Sequence, residues 1–183
     1  HYFEYNDQFR VTKEIAAGAG DDGTGGRGQF TFSYTVNAAL APPGDLNAWV
    51  VKTVETLPDG HQNIVYTNAA RQVMLRVFHD PATGQEWRTF YRYDPAGRLI
   101  LVANPSAVIG YNEMYLDLLN YQSGNYQYLA DTTGLVTTWT CGGTTTATET
   151  TAGDAAGRLQ QVAIRRGELG TPVPQREVSY IKR

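Results

Sequence analysis

Six acidic side chains, Asp59, Asp80, Glu86, Asp94, Asp117 and Asp131, are the first residues to test for chemistry. A hydrolase of the two-carboxylate kind needs an acid and a base or nucleophile facing each other across the scissile bond. In "LPDG", "HDPATG" and "YDPAG", however, the Asp stands at a chain reversal. There it bonds backbone two residues on, Pro presets the first corner and Gly takes a positive φ. The turn accounts for these carboxylates. His79 beside Asp80 imitates an oriented base, yet one residue ends a strand and the other opens a turn. Metal ligation by His61 and His79 lacks a third and fourth ligand at a suitable spacing. Cys141 is the single cysteine, so an internal disulfide and a multi-cysteine zinc site are both excluded. It has no local histidine partner and reads as a small hydrophobe. No Gly-x-Ser-x-Gly elbow occurs. The chain is expected to be no enzyme, with no catalytic, cofactor-binding or metal-binding residues and no cofactor.

Two further features invite a ligand. The glycine-rich run "AAGAGDDGTGGRG" (residues 16–28) is not a dinucleotide cradle, because its glycines do not lie between a parallel strand and a helix. Calcium held by Asp21 and Asp22 fits glycine-aspartate loops better, but repeated ligand positions are missing. Ordering so much glycine costs more than it buries, so 16–28 is expected to be a flexible loop. Trp49, Trp87 and Trp139, with surplus tyrosines, suit a sugar-stacking platform. Rungs inside a sheet account for them better, since Trp87 is in line with Tyr91 and Tyr93 on the expected covered face.

The elements that hold these residues follow from composition and pattern. The 183 residues carry 42% hydrophobic and 18% charged side chains, 19 glycines and 12 tyrosines, the balance of a β-rich chain. A formal charge of −3 with scattered Lys and Arg supplies no basic field for nucleic acid or anionic lipid. No stretch approaches the ~20 apolar residues of a spanning helix, so no membrane insertion is expected. The chain opens on "HYFEYNDQF" without Met or a leader and is expected to be a piece of a larger protein.

"QFTFSYTVN" sets Phe30, Phe32, Tyr34 and Val36 against Gln29, Thr31, Ser33 and Thr35, a half-buried strand. Hairpins are expected around "LPDG", around "HDPATG", at "YDPAG", and in "RLQQVAIRRGELGTPVPQREVSYIK", whose loop holds Gly167, Gly170, Pro172 and Pro174. On "EWRTFYRY" the expected covered face carries Trp87, Thr89, Tyr91 and Tyr93. "GGTTTATETTAGD" reads as a meandering edge strand or a surface loop. Residues 104–120 break the strand rhythm: Pro105 stops a ladder, and Met114, Leu118 and Leu119 lie near helical spacing. A short helical or irregular insertion is expected there.

The chain also repeats itself. "YRYDPAGRLI" stands beside "FEYNDQFRV", "YLADTTGLV" and "GDAAGRLQQV", with "VYTNAARQVML" a fainter copy. Each offers an Asp or Asn, a short turn, and an Arg or aliphatic residue opening a strand. The anchors Asn6, Asn68, Asp94, Asp131 and Asp154 are 62, 26, 37 and 23 residues apart, and the first interval is long enough to hide another copy. A unit of strand, turn and strand cannot cover its own apolar face, and stacking such units is the physical remedy.

On these residues the chain resembles the YD-repeat or Rhs-type proteins, whose motif is a Tyr-x-Tyr-Asp-x-x-Gly-Arg-Leu string. Tyr91, Tyr93, Asp94, Gly97, Arg98 and Leu99 match it throughout. Tyr5 and Asn6, Asp131 and Gly134, and Asp154, Gly157, Arg158 and Leu159 match in part. The resemblance implies a β-strip that spirals into a wide shell, in bacterial surface or secreted proteins that often sheathe a toxin or support adhesion. Arg98 stands where the self-cleavage string of many such cores has Leu, so toxin delivery is not implied.

The expectation is therefore a mainly β chain of antiparallel hairpin repeats, with residues 1–183 forming one segment of such a strip. Its expected role is a non-catalytic structural module of an extracellular or cell-surface shell or fibre. Its partners would be neighbouring repeats or copies of the same protein, joined through exposed strand edges such as "HYFEYN" and "REVSYIKR". The alternative is an adhesive or carbohydrate-binding surface module that binds glycans.

Overall fold

The structure, a computed structural model, describes residues 1–20, 24–39 and 41–182. The Asp21–Asp22 pair considered for calcium lies outside the described residues. Among the described residues thirteen strands follow in chain order: β1 (Tyr2–Tyr5), β2 (Val11–Ile15), β3 (Gln29–Val36), β4 (Val51–Thr56), β5 (Gln62–Thr67), β6 (Val73–Asp80), β7 (Gln85–Tyr93), β8 (Leu99–Ala103), β9 (Tyr121–Gln122), β10 (Asn125–Tyr126), β11 (Leu135–Cys141), β12 (Leu159–Arg166) and β13 (Val173–Glu177). Eleven pair as one antiparallel sheet in the order β1-β2-β3-β4-β5-β6-β7-β8-β11-β12-β13, while β9 and β10 form a separate hairpin. The chain is the mainly β, hairpin-built strip its pattern implies. Among the described residues no helix is long and apolar enough to cross a membrane.

No helix of any length occurs among the described residues, so the helical form expected of residues 104–120 is not adopted. Those residues make successive turns. Pro105 donates no N–H, and side chains take donors a helix would use: Asn112 Oδ1 accepts Met114 N–H, and Asp117 accepts Asn120 and Tyr121 N–H. Leu118 and Asn120 adopt φ of 66° and 53°, which no right-handed helix contains.

Contacts divide the chain into two units, His1–Arg88 and Thr89–Arg183. In the first, the apolar side changes along the sheet. On β3 the aromatic set Phe30, Phe32 and Tyr34 is half-buried while Thr31, Ser33 and Thr35 are exposed, as the alternation implies; at the strand ends it fails, with Val36 57% exposed and Gln29 half-buried. The Tyr34 hydroxyl donates to the Val11 carbonyl at 2.8 Å, and the Arg10 guanidinium lies over its ring. On β5 and β6 the side chains of Ile64, Tyr66, Met74, Leu75 and Val77 are buried. Register pairs Ile64 with Val77 and Tyr66 with Leu75, so these four share one face, while Met74 is the extra residue at the register shift. Trp49, from the loop before β4, meets the Tyr66 ring edge-on at 5.5 Å and covers that face.

The expected covered face of β7 is overturned at Trp87, which is 45% exposed, while Phe90 on the opposite face is buried. Trp87 leans on Phe78 with ring centroids 5.7 Å apart. Residues i and i+2 share a face, so the one buried ring sets the strand's inward side, and that ring belongs to Phe90.

In the second unit, cross-strand register aligns Phe90, Ala103 and Val136, and likewise Leu101, Thr138 and Ala163. Phe90, Leu101, Ala103, Val136 and Ala163 are buried. What covers them is the segment between β8 and β11. Ala107, Val108, Leu118, Leu119, Tyr126 and Leu129 from it are all buried, and Tyr126 meets Phe90 edge-on at 5.3 Å. Burying one such larger side chain is worth roughly 1.5–3 kcal/mol, so the insertion forms the second layer of this unit's core.

The insertion is fastened at its foot and at its far end. At the foot, the Leu135 N–H donates to Ser106 Oγ, and a Cβ on Gly134 would stand 2.2 Å from the Ser106 carbonyl oxygen. At the far end, Glu168, only 6% exposed, accepts the Tyr126 N–H with both carboxylate oxygens, at 2.9 and 3.1 Å. Desolvation by burial outweighs the Tyr126 N–H and Arg165, and the Glu168 carboxyl titrates above its ordinary range. A raised carboxyl leaves the fold unpenalised below the unfolded pKa of about 4.3 and costs stability as pH rises through the folded value. Glu168→Gln, which keeps an acceptor without the charge, is therefore expected to melt at or above the parent at pH 7, with the difference vanishing near pH 4. Glu168→Ala, which orphans a buried N–H, is expected to lose about 1–3 kcal/mol at both pH values by urea denaturation.

Candidate functional site

The repeated residues meet in a corner of fixed geometry. At Asp94 the backbone N–H donates to the Arg98 carbonyl, the Gly97 N–H returns to the Asp94 carbonyl, and Asp94 Oδ1 accepts the N–H groups of Ala96 and Arg98, all at 2.9–3.0 Å. Gly97 adopts a φ of 79°, and one extra residue follows on β8, since Tyr93 faces Leu99 while Arg92 faces Leu101. The corner at Asn6 is the same. Its N–H meets the Arg10 carbonyl, the Phe9 N–H returns to its carbonyl, and Oδ1 accepts the N–H groups of Gln8 and Arg10. Phe9 takes the left-handed place, and Tyr5 faces Val11 across the same shift. Asn68 repeats it with Arg71 left-handed and Gln72 N–H on Oδ1.

Two more corners carry insertions. The Asn37 N–H donates to the Val50 carbonyl and its Oδ1 accepts the Ala39 N–H, so the loop that delivers Trp49 is threaded through a fourth copy. This is the copy hidden in the 62-residue interval. Asn37 stands 31 residues from Asn6 and 31 from Asn68. The residues before it, Tyr34-Thr35-Val36, carry the strand signature, but the sequence after it, Ala38-Ala39-Leu40, lacks the glycine that marks the turn at Asp94. In the fifth copy Gly142 occupies the Asp94 position: its N–H donates to the Arg158 carbonyl and its carbonyl accepts the Gly157 N–H. Gly157, Arg158 and Leu159 thus stand where Gly97, Arg98 and Leu99 do, with Leu159 facing Cys141.

Asp154 serves a different purpose. Its N–H donates to Thr146 Oγ1 and its carboxylate accepts Gln160 Nε2, pinning the loop "GGTTTATETTAGD". Asp131 and Gly134 lie in the turn before β11, where their carbonyls accept the N–H groups of Leu169 and Gly167. The structure therefore joins Tyr5 and Asn6 in one corner, Tyr93, Asp94, Gly97, Arg98 and Leu99 in another, and Gly157, Arg158 and Leu159 in a third. Asp131, Gly134 and Asp154 stand outside these corners. Tyr91 and Tyr93 are half-buried on β7.

Asp94 is the corner with a charge. Arg98 Nε and Nη2 both lie 2.6 Å from Asp94 Oδ2. Desolvation opposes ionisation there, but the Arg98 guanidinium and the N–H groups of Arg98 and Ala96 outweigh it and hold the carboxyl below its usual range. The Arg98 guanidinium also reaches the next corner of its unit, since a Cβ on Gly157 would stand 3.0 Å from Nη1.

At the opposite ends of hairpins in the first unit, His61 Nδ1 lies 3.0 Å from Asp59 Oδ2 and its Nε2 lies 3.8 Å from Asp80 Oδ1. His79 Nδ1 is 3.4 Å from Glu86 Oε1, and Glu86 holds Arg88. His61 stacks on Phe78 at 5.3 Å. Each carboxylate already has a turn or an arginine to serve: Asp80 accepts the Thr83 hydroxyl and lies below its ordinary pKa for that reason first. Among the described residues no three or more His, Cys, Asp or Glu side chains are grouped as metal ligands. No known family model, curated protein or solved structure matches the chain.

The corner geometry sets two expectations. A depressed carboxyl such as Asp94 stabilises the fold above its unfolded pKa of about 3.9, and that contribution is lost as pH falls through the folded value. Asp94→Asn is expected to fold with a melting temperature close to the parent near pH 3 and lower at pH 7, as it keeps Oδ1 but loses the ion pair. Asp94→Ala is expected to cost about 1–2 kcal/mol more, by analogy with lost caps. Gly97→Ala is expected to cost about 1–2 kcal/mol, since Phe9 and Arg71 show that a side chain is tolerated at this left-handed position. Gly97→Val should cost more, because a β-branched residue fits that region worst. Equal melting temperatures for Gly97, Ala and Val would refute the assignment.

Proposed function

We propose that the chain is a non-catalytic structural module, a section of β-strip of the YD/Rhs-repeat type that helps build an extracellular or cell-surface shell or fibre. The observation that supports this reading is the corner repeated at Asn6, Asn37, Asn68, Asp94 and Gly142. Each closes every second hairpin of the strip with the same bond from the corner N–H to a carbonyl at the start of the returning strand. A device used this often serves sheet propagation, since each copy lays down two strands and leaves an edge for the next.

The two terminal strands of the sheet suit that use. β1 pairs only with β2 and β13 only with β12, so each has one free backbone edge among the described residues. β1 itself carries Tyr2, Phe3 and Tyr5, all exposed, with Phe9 at 90% in the adjoining corner. β13 shows Val173, with Leu169 and Ile181 exposed nearby. Pro174 in β13 removes one donor from that strand, which leaves β1 the better template.

The purified chain is expected to self-associate with rising concentration in size-exclusion chromatography, and to give extended or ring-like particles by electron microscopy. The double substitution Phe3→Lys and Tyr5→Lys, which charges the β1 edge, should return it to monomer without lowering its melting temperature. A chain that stays monomeric at every concentration overturns the reading.

A further inference from the structure

We propose that the cleft beside the Asn6 corner binds the carboxylate terminus of a peptide whose last residue is apolar. This goes beyond the structural role above and depends on no pairing at a strand edge. The cleft lies wholly in the first unit, between that corner and β3, and encloses about 400 Å³. That volume lies within the range of small-molecule sites, about 300–1,000 Å³.

Its chemistry centres on Arg10. The half-buried guanidinium lies 5.1 Å from the centroid of the Tyr34 ring, and among the described residues it pairs with no carboxylate. Arg88 and Arg98, in contrast, each hold one. A guanidinium fixed on a ring and left unpaired keeps its planar fork of donors for an incoming oxyanion, and a carboxylate fits that fork with two parallel bonds. The ring beneath is held in turn, since the Tyr34 hydroxyl donates to the Val11 carbonyl at 2.8 Å. Burial raises the Tyr34 pKa against the pull of Arg10, so the phenol stays neutral and leaves the guanidinium charge uncompensated.

The rest of the lining narrows the ligand. Asn6 Oδ1 is already occupied by the Gln8 and Arg10 N–H groups, so what this side chain has left is its Nδ2 donor. Gln8, Thr12 and Ser33 add uncharged polar groups. Asp7 is the one carboxylate of the lining, and it suits the peptide N–H that neighbours a terminal carboxylate. Phe32 and Val36 share the β3 face of Tyr34, and Val36 is 57% exposed, which sets an apolar shelf beside the guanidinium. A donor fork next to such a shelf matches a main-chain carboxylate with an apolar side chain attached; an inorganic anion leaves the shelf unused. The backbone from Asn6 to Arg10 is fixed by the corner bonds of 2.9–3.0 Å before any ligand arrives, so little of its entropy is lost on binding.

The test uses N-acetyl-Gly-Ala-Leu as the free acid and as its C-terminal amide, each titrated into the intact chain by calorimetry and by amide NMR. Saturable binding of the acid is expected, at least about tenfold tighter than that of the amide, with shifts at the Gln8 and Thr12 amides. Arg10→Met should weaken it by a similar factor, whereas Arg76→Met, which removes the same charge from an exposed position on β6, should leave it unchanged. No saturable binding of the acid, equal binding of acid and amide, or binding that survives Arg10→Met overturns the proposal. Displacement of the peptide by an equal concentration of inorganic phosphate marks a general anion site and overturns it equally. Should Arg10→Met fail to fold, the comparison of acid with amide in the parent chain decides alone. A monomeric chain that binds the acid would refute the structural reading without touching this one.

Discussion

A side-chain oxygen placed one residue beyond a strand, in reach of the N–H four residues on, is the constraint on which this sheet depends. It satisfies a donor that the turn would otherwise leave open, and it fixes where the returning strand begins. At Asn6, Asn68 and Asp94 that bond goes with a left-handed residue three positions on and with one extra residue in the returning strand. A one-residue slip would turn each strand's faces over, so the corner sets the register that keeps Ile64 opposite Val77 and Phe90 opposite Ala103. The burial of the core rests on this local bond.

The corner tolerates variation because it asks little. An amide oxygen accepts the same pair of N–H groups as a carboxylate oxygen, and the left-handed place accepts Phe9, Arg71 or a glycine. It also tolerates insertion. At Asn37 and Gly142 the outermost backbone bond survives while the chain departs and returns, once to deliver Trp49 over Tyr66 and once to form the threonine-rich loop. Insertions enter where the ladder is already closed, so they add layers without disturbing strand pairing. The segment between β8 and β11 does the same at the opposite hairpin ends, where it supplies a second layer.

Coverage, in contrast, is settled residue by residue. A strip of hairpins has two faces and too few side chains on either to close a core alone, so each stretch is covered by whatever loop folds back on it. This explains why the buried side lies with Tyr66 and Leu75 on β5 and β6 while the aromatic side of β3 is only half-buried. Glu168 shows the cost of such cover. A carboxylate is held against its own desolvation because the Tyr126 N–H it receives has left water too.

Local pattern in the sequence determined the strands, their antiparallel hairpins and the corner at Asp94, because alternation, Asx turns and a positive-φ glycine act within about six residues. It also pointed to a further copy between Asn6 and Asn68. Only the tertiary structure decided where that copy lies, that Gly142 rather than Asp154 holds the fifth corner, and that residues 104–120 are turns covering a core. It alone turned Phe90 inward and Trp87 outward, and set Glu168 beneath Tyr126. The physical reason is mainly separation along the chain: Asn37 meets Val50, Gly142 meets Arg158, Phe90 meets Tyr126 and Glu168 meets Tyr126 across 13, 16, 36 and 42 positions, and nothing in the alternation of a single strand says which of its faces a distant loop will cover.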